Sequence, residues 1–319
     1  MKILPVIICG GAGTRLFQEN NNNLPKQFID FGNWNMFQKT LDRINSPIYL
    51  PPIISTNIKY LSLVKTNLKK HKIKKYEIVL EPQKKNTAPA ILAASLLKHI
   101  KSCQPMIFLP SDQLIEDKKK FNAAVEKNAK NINYKDIFIF GIKPTYPSDQ
   151  YGYFLTKKKS IKVTQFIEKP TKIDAKKLIK KKALWNAGIF LSTKESLIFH
   201  FLNNQKNTFN YCLNSVNKSF KKKNCIYLEE KSFNKIKPLS FDYAILEKIK
   251  NIHCIKLITT WSDLGSWKAI NTLFKINRFK FYNKKNLFKR PWGTYRNLFK
   301  GKNFLIKELI VEKDGCLSL

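Results

Sequence analysis

The sequence predicts an α/β protein built on a doubly wound, mostly parallel sheet. Three observations carry that expectation: short apolar runs recur along the chain, helix-periodic segments separate some of them, and Gly, Pro or Asp stands at the run ends. The first run, Ile3–Cys9, stops at a Gly-rich turn. Ile53–Thr56, Ile78–Leu80, Met106–Leu109, Ile137–Phe140 and Gly188–Leu191 follow. Each is too short for a buried helix and reads as a strand. Ala88–Ile100 carries apolar residues at helix spacing. Lys118–Lys130 does the same, with Phe121, Ala124, Val125 and Asn128 on one side. Sheets of this kind bind ligands at the carboxyl ends of their strands, so the residues after each strand matter most.

The texture changes near Phe279. Residues 1–278 are expected to form the principal domain, and 279–289 a basic, aromatic linker. Residues 290–319, with RPWGTY and the run Asn303–Val311, read as a short β-segment. There is no internal repeat, and the Asn20–Asn23 tract reads as loop.

Composition narrows the class. Lys and Arg number 59 against 22 acidic residues, a formal charge of +37 on 319 residues. A hydrophobic content of 43% argues against disorder, because enough apolar surface exists to offset chain entropy. Arginine occurs only at Arg15, Arg43, Arg278, Arg290 and Arg296, leaving the rest of the basic residues as lysine. Dedicated nucleic-acid readers lean on Arg for bidentate contacts, and A/T-rich codons would write Lys, Asn, Ile and Phe regardless of function. No specific nucleic-acid partner is therefore expected. The six cysteines form no CxxC pair and no zinc spacing, which fits reduced thiols in the cytoplasm. The N-terminal apolar run contains Pro5 and opens into glycines, so it reads as a first strand rather than a signal peptide. No run approaches the ~18 residues of a membrane span, and no membrane partner is expected.

The chemistry-bearing segments follow the strands. Gly10-Gly11-Ala12-Gly13-Thr14-Arg15 closes the first strand, where missing Cβ atoms let backbone N–H groups approach a phosphate. A tight turn is the plainer alternative, since neither a Walker A loop nor a dinucleotide fingerprint is present. Arg15 and, after Pro25, Lys26 offer cations beside it. Asp112 follows the Met106–Leu109 strand and could hold Mg²⁺ from there; a turn or cap role is its alternative. Asp263, before a helix-like Gly265–Phe274, is equally open between an N-cap and a ligand. Glu168-Lys169 stands at a strand end, Asn186 beside a strand start, and Gly152 between two tyrosines. The four histidines show no HxH or HExxH spacing, and no GxSxG elbow is visible.

Taken in order, these segments resemble the sugar-phosphate nucleotidylyltransferases, specifically the mannose-1-phosphate guanylyltransferase type. GGAGTRL is followed by LPKQF, and EPQKKNTAPA by LPSD at Leu109–Asp112. YGY, FIEKP, WNAGIF, DYA, WSDLGSW and RPWG follow collinearly, the last resembling the opening of a cupin-like module in the family's long members. The resemblance implies a Rossmann-like nucleotidyltransferase fold, with GTP and mannose 1-phosphate as substrates and GDP-mannose as product. It implies that Gly10, Gly11, Gly13, Thr14, Arg15, Glu81, Asn86, Thr87, Ala88 and Ser111 hold the nucleotide. Gly152, Glu168, Lys169, Asn186 and Asp242 would hold the sugar phosphate, and Asp112 and Asp263 the Mg²⁺. Arg15, Lys26 and Asp112 would be catalytic. A homodimer is open.

Some positions depart from that pattern. Phe17–Asn22 replaces a WPLSRE segment, Lys85 an Arg, and Gln113 a His. Several tens of residues before RPWG are shortened, and the cupin-like segment stops before its His-rich part, so isomerase chemistry is not expected. A degenerate relative that only binds nucleotide sugars, or a transferase of other base or sugar specificity, is the alternative.

Overall fold

A computed structural model describes residues 1–11, 24–31, 34–264, 287–300, 305–312 and 314–316. The chain runs through β1 (Leu4–Ile8), α1 (Met36–Arg43), β2 (Ile53–Asn57), α2 (Leu61–Lys70), β3 (Glu77–Glu81) and α3 (Thr87–Ser95). Next come β4 (Pro105–Pro110), the two-residue β5 (Leu114–Ile115), α4 (Lys118–Ala129) and β6 (Ile137–Ile142). A hairpin of β7 (Tyr153–Thr156) and β8 (Val163–Ile167) leads through α5 (Lys172–Lys180) to β9 (Leu184–Thr193). Then follow α6 (Lys194–Asn204), α7 (Lys206–Asn217), β10 (Phe220–Lys222), β11 (Cys225–Tyr227) and α8 (Glu230–Asn234). After a π-helical turn at Asp242–Leu246 lie β12 (Ile252–Lys256) and β13 (Trp261–Ser262). A separate three-stranded antiparallel sheet contains β14 (Leu287–Arg290), β15 (Gly293–Lys300) and β16 (Leu305–Val311).

The large sheet has the order β10-β11-β3-β2-β1-β4-β9-β6-β12. Pairing is parallel from β11 through β3, β2 and β1 to β4, and again between β6 and β12. The order reverses beside β1: β2 lies on one side of it and β4 on the other. A crevice opens at such a reversal, at the carboxyl ends of the two strands.

Both faces of this sheet are buried. Ile7, Ile78, Leu80, Ile107 and Leu109 enter one core with Phe37, Val64, Phe121 and Val125 from α1, α2 and α4. Their neighbours Val6, Val79, Met106 and Phe108 enter the other, with Leu92, Leu197, Phe201 and Cys212 from α3, α6 and α7. Side chains alternate across a strand, so two buried faces give uninterrupted apolar runs. Helix α1 starts on a capping box: Asn35 Oδ1 accepts from the Gln38 N–H at 2.8 Å, and Gln38 Oε1 from the Asn35 N–H at 3.0 Å.

The structure differs from the sequence reading at four places. Helix α3 ends at Ser95 rather than Ile100. The Lys194 ammonium donates to the Leu97 and Ile100 carbonyls at 3.0 Å each, giving those acceptors partners outside a helix. β9 starts at Leu184, so Asn186 lies within a strand and not in a turn before it. That strand runs antiparallel to both β4 and β6. β14 begins at Leu287, inside the stretch read as linker. The helix expected at 265–274 lies outside the described residues.

Gly141 shows how tightly the layers meet. A Cβ there would sit 2.7 Å from Phe154 Cζ, 2.8 Å from Leu184 Cδ1 and 3.1 Å from Cys254 Sγ. Gly141→Ala should destabilise by about 1–3 kcal/mol, the usual cost of overpacking. Urea unfolding should show a lower midpoint at an unchanged slope.

Candidate active site

Glycines Gly10 and Gly11 leave β1 into open space: a Cβ on either would meet nothing within 4 Å. They line a small cleft with Asn57, Glu81, Lys84, Asn86 and Thr87. Glu81 is buried, and its Oε1 accepts from the Ser55 hydroxyl at 2.7 Å. Burial pushes its carboxyl up to about 7, the Ser55 bond opposing the rise. The group can therefore both donate and accept a hydrogen bond near neutrality. Asn86 caps α3 from a left-handed backbone (φ +70°), its Oδ1 accepting the Thr87 N–H at 2.8 Å.

Not every residue expected here faces the cleft. The Ala88 N–H donates to the Leu239 carbonyl at 3.1 Å, and Ala88 is wholly buried. The Thr87 hydroxyl accepts the Phe241 N–H at 2.9 Å, tying α3 to the segment that carries Asp242. Ser111 is buried behind the strand ends, its N–H on the Ile8 carbonyl at 3.2 Å. Lys85 turns to the Asn234 carbonyl at 2.8 Å, while Lys84 lines the cleft. Gly13, Thr14, Arg15 and the Phe17–Asn22 segment lie outside the described residues.

A second group gathers at the ends of β4 and β13. The buried Lys26 ammonium lies 3.1 Å from Asp112 Oδ2 and also donates to the Asp263 carbonyl oxygen. Tyr151 donates its hydroxyl to Asp263 Oδ1 at 2.8 Å. Carboxylate and carbonyl oxygens thus already converge on one cation, which is the donor chemistry of a hard metal ion. Two carboxylates would leave the remaining positions to substrate oxygens, and no group of three or more metal-binding side chains occurs among the described residues.

The Asp112 loop is held from below. Gln113 donates from Nε2 to the Ala187 carbonyl at 2.7 Å and accepts the Trp261 Nε1–H at 3.1 Å. Arg43 donates to the Gln113 carbonyl at 2.9 Å. It is buried over the Phe121 ring, and burial lowers its guanidinium to about 10, still charged at neutral pH.

The third group lies across β7, β8 and β9. Asn186 Nδ2 donates to Asp242 Oδ1 at 2.7 Å, its Oδ1 accepts the Gly188 N–H at 3.0 Å, and its own N–H donates to the Gly152 carbonyl at 2.8 Å. Gly188 needs its glycine, at φ +67°. So does Gly152 for a different reason: a Cβ there would lie 2.5 Å from Glu168 Oε2. Lys169 holds a left-handed backbone (φ +47°) and points its ammonium to within 3.9 Å of Glu168 Oε1. Glu168 titrates above the ordinary carboxylate range because of burial first, then the Asp242 charge, with Lys169 opposing both. Burial raises Asp242 as well.

Sequence reasoning did not single out Tyr151, Lys84, Asn57 or Glu247. Tyr151 packs edge-on against Trp185 and Trp261, with centroids at 4.9 and 5.4 Å, which aims its hydroxyl at Asp263. Its place in YGY was the available signal. Glu247 accepts the Glu168 N–H at 3.2 Å and was signalled by DYAxxEK. Asn57 and Lys84 carried no local signal, being an ordinary strand-end Asn and one lysine among many.

The nucleotidyl transferase family profile matches residues 4–278. The chain is 30% identical over 286 residues to the mannose-1-phosphate guanylyltransferase of Escherichia coli, covering 86% of this chain and 62% of that protein. It is 29% identical over 277 residues to the alginate biosynthesis protein AlgA of Pseudomonas fluorescens, covering 84% and 57%. The chain thus spans somewhat over half the length of these relatives. Among solved structures, the mannose-1-phosphate geranyltransferase of Thermus thermophilus superposes with a TM-score of 0.73 at 21% identity, covering 87% of this chain and 80% of that one. That likeness is one of fold.

The raised Glu168 carboxyl has a thermodynamic consequence. Its stabilising contribution is complete below the ordinary value of 4.5 and is lost as pH rises through the higher folded value. Glu168→Gln removes that titration. Relative to wild type, the variant should gain about 1 kcal/mol between pH 5 and pH 8.5, read from paired denaturant melts. An unchanged difference across that range would contradict the environment described.

Proposed function

The chain belongs to the nucleotidyl transferase family, and we propose that it transfers a guanylyl group from GTP to mannose 1-phosphate, giving GDP-mannose and pyrophosphate. The observation that carries this reading is convergence. Segments far apart in sequence meet as three adjoining groups: a cleft at the end of β1, a cation cluster on Asp112, and a polar pocket around Asn186. Tyr151 joins the last two, since its hydroxyl reaches Asp263 and Gly152 beside it receives the Asn186 N–H. Guanine and mannose follow the names of the relatives, and GDP-mannose supply to polysaccharide synthesis follows from the same names.

The reaction needs no protein nucleophile. A phosphate oxygen of mannose 1-phosphate attacks the α-phosphorus of GTP in line, and the bond to the bridging oxygen of pyrophosphate breaks. Catalysis then rests on positioning and charge stabilisation. Gly10 and Gly11 leave room for the phosphates, and Glu81, Asn86 and Thr87 border the nucleotide. Asn186, Asp242 and Glu168 offer donors and acceptors to sugar hydroxyls, and Lys169 offers its charge to the sugar phosphate. Lys26, with Arg15, offsets negative charge growing on the α-phosphate and the leaving group. Asp112 and Asp263 would hold a divalent cation, Mg²⁺ in this reading, which polarises and clamps phosphoryl oxygens when bound. Lys26 lies between those two residues, so its charge would stand beside the phosphates they face.

Incubation with mannose 1-phosphate, Mg²⁺ and each of the four nucleoside triphosphates tests the reading, with GDP-mannose expected from GTP alone. Absence of any nucleotide sugar, with nucleotide binding retained, would mark a binding-only relative. Asp112→Asn, Asp263→Asn and Lys26→Met should each lower pyrophosphate release by about 10²–10³-fold, the usual loss for one such group. Near-normal turnover in either Asp variant would remove the metal assignment.

A further inference from the structure

A sizeable cleft bordered by the described residues lies apart from the site above. It measures about 1140 Å³ and lies at the opposite end of the β7–β8 hairpin, bordered by α4, β6 and β12. Seven lysines rim it. Lys157, Lys158 and Lys159 come from the hairpin turn, and Lys181 and Lys182 from the turn between α5 and β9. Lys127 of α4 and Lys256 of β12 complete the rim. All seven are exposed. None makes an ion pair with a carboxylate among the described residues, whereas Lys120, Lys130, Lys177 and Lys221 elsewhere do. Asp136, the cleft's acidic member, is already committed: its Oδ1 faces His253 Nε2 at 3.1 Å and its Oδ2 accepts the Asn133 N–H at 3.2 Å.

Lysine supplies seven of the ten exposed residues of the cleft lining, against roughly two in five of the exposed residues described over the whole chain. Lys159 and Lys182 hold left-handed turn positions (φ +55° and +63°), as Lys72 and Lys223 do elsewhere. The floor is apolar, with Phe138, Leu155 and Ile255, and the His253 ring lies 5.0 Å from that of Phe138. His253 Nδ1 is buried without a hydrogen-bond partner. A bounded concavity with an uncompensated cationic rim focuses positive potential inward and favours a compact anion of several charges.

We propose that this cleft is a second binding site, for a polyphosphate chain either free or carried by a nucleoside. It does not depend on the transferase reading, because its residues belong to none of the three groups of the active site. A free chain would use the lysine rim alone. A nucleoside polyphosphate would add its base to the apolar floor.

Calorimetric titration of the full chain with inorganic tripolyphosphate, without divalent cation, tests it. Wild type should show a binding class that weakens at least tenfold in Lys157→Gln/Lys159→Gln/Lys182→Gln and survives in Lys26→Met and Lys169→Met. The corresponding triple Arg variant should retain it, and its retention separates charge from damage to the turns. Equal affinity of wild type and the Gln variant would overturn the proposal, as would a single class abolished by Lys26→Met. A parallel titration with ATP distinguishes the two sources. Affinity at least tenfold above tripolyphosphate in the same Gln-sensitive class assigns a nucleoside, and equal affinity assigns the bare chain. Random single-stranded DNA that displaces tripolyphosphate from the cleft at lower concentration, with a steeper salt slope, would instead mark an extended polyanion and overturn the compact ligand.

Discussion

The parallel pairing of β1 with β2 on one edge and β4 on the other is the constraint from which the rest follows. It buries β1 on both faces and fixes where its carboxyl end emerges. The bonds just past the strand hold that end in place: Cys9 N–H to the Ser55 carbonyl at 2.7 Å, the Thr56 hydroxyl to the Cys9 carbonyl at 2.9 Å, and Ser111 N–H to the Ile8 carbonyl at 3.2 Å. Because the chain winds away in opposite directions from β1, no crossover among the described residues covers the strand ends. Gly10-Gly11 and Ser111-Asp112 therefore leave side by side. Two of the three groups of the candidate site are assembled around those two exits. Lys26 returns to Asp112 from a short helical turn, and β13 pairs with β5 so that Asp263 arrives opposite it.

The strands were legible in the sequence for the same reason that the site is where it is. A strand buried on both faces shows an unbroken apolar run, so β1 to β4 and β6 could be read from Ile, Val, Leu and Phe alone. Direction could not. β9 carries the same kind of run but lies antiparallel between β4 and β6, and nothing local encodes that choice. Helices α5 and α7 were harder to read, because Lys and Asn crowd their solvent faces and few apolar anchors remain, such as Ala175 and Leu178 in α5. Among site residues, those within contiguous motifs were legible. Contributors that act through a single side chain on a separate element, such as Asn57 and Lys84, were not, because proximity in space leaves no trace in spacing.

Gln113 illustrates how a departure from a familiar pattern can be absorbed. Where the resembling family has His, this chain has an amide that donates to β9 through the Ala187 carbonyl and accepts from Trp261 before β13's end. An amide supplies one donor and one acceptor at every pH, so the loop carrying Asp112 is tied to two neighbours without a titrating group. Arg43 completes the support from α1. A buried guanidinium with a neutral acceptor is costly by itself. The Phe121 face lies over the Arg43 guanidinium, its Nε and Nη1 stay buried without partners, and its charge sits behind the loop that carries Asp112.

The distribution of charge then explains why a chain of +37 keeps carboxylates in its pocket. Lysines scattered over the surface raise the local concentration of anions but cannot orient one. Orientation needs groups with fixed geometry: Asn186 is buried and bonded to Asp242, and the Glu168 carboxylate faces the Lys169 ammonium at 3.9 Å. Burial raises Glu168 and Asp242, with neighbouring carboxylates adding to it, so the pocket retains a proton near neutrality and presents donors as well as acceptors. A phosphate could not be held by those groups alone. Lys169 supplies the opposite sign at the rim, from a left-handed backbone (φ +47°) beside Glu168. In the proposed reading, cations would face phosphates and carboxylates would face hydroxyls, a division of labour that would sort the two ends of a sugar phosphate by charge with only four side chains out of the whole basic surface.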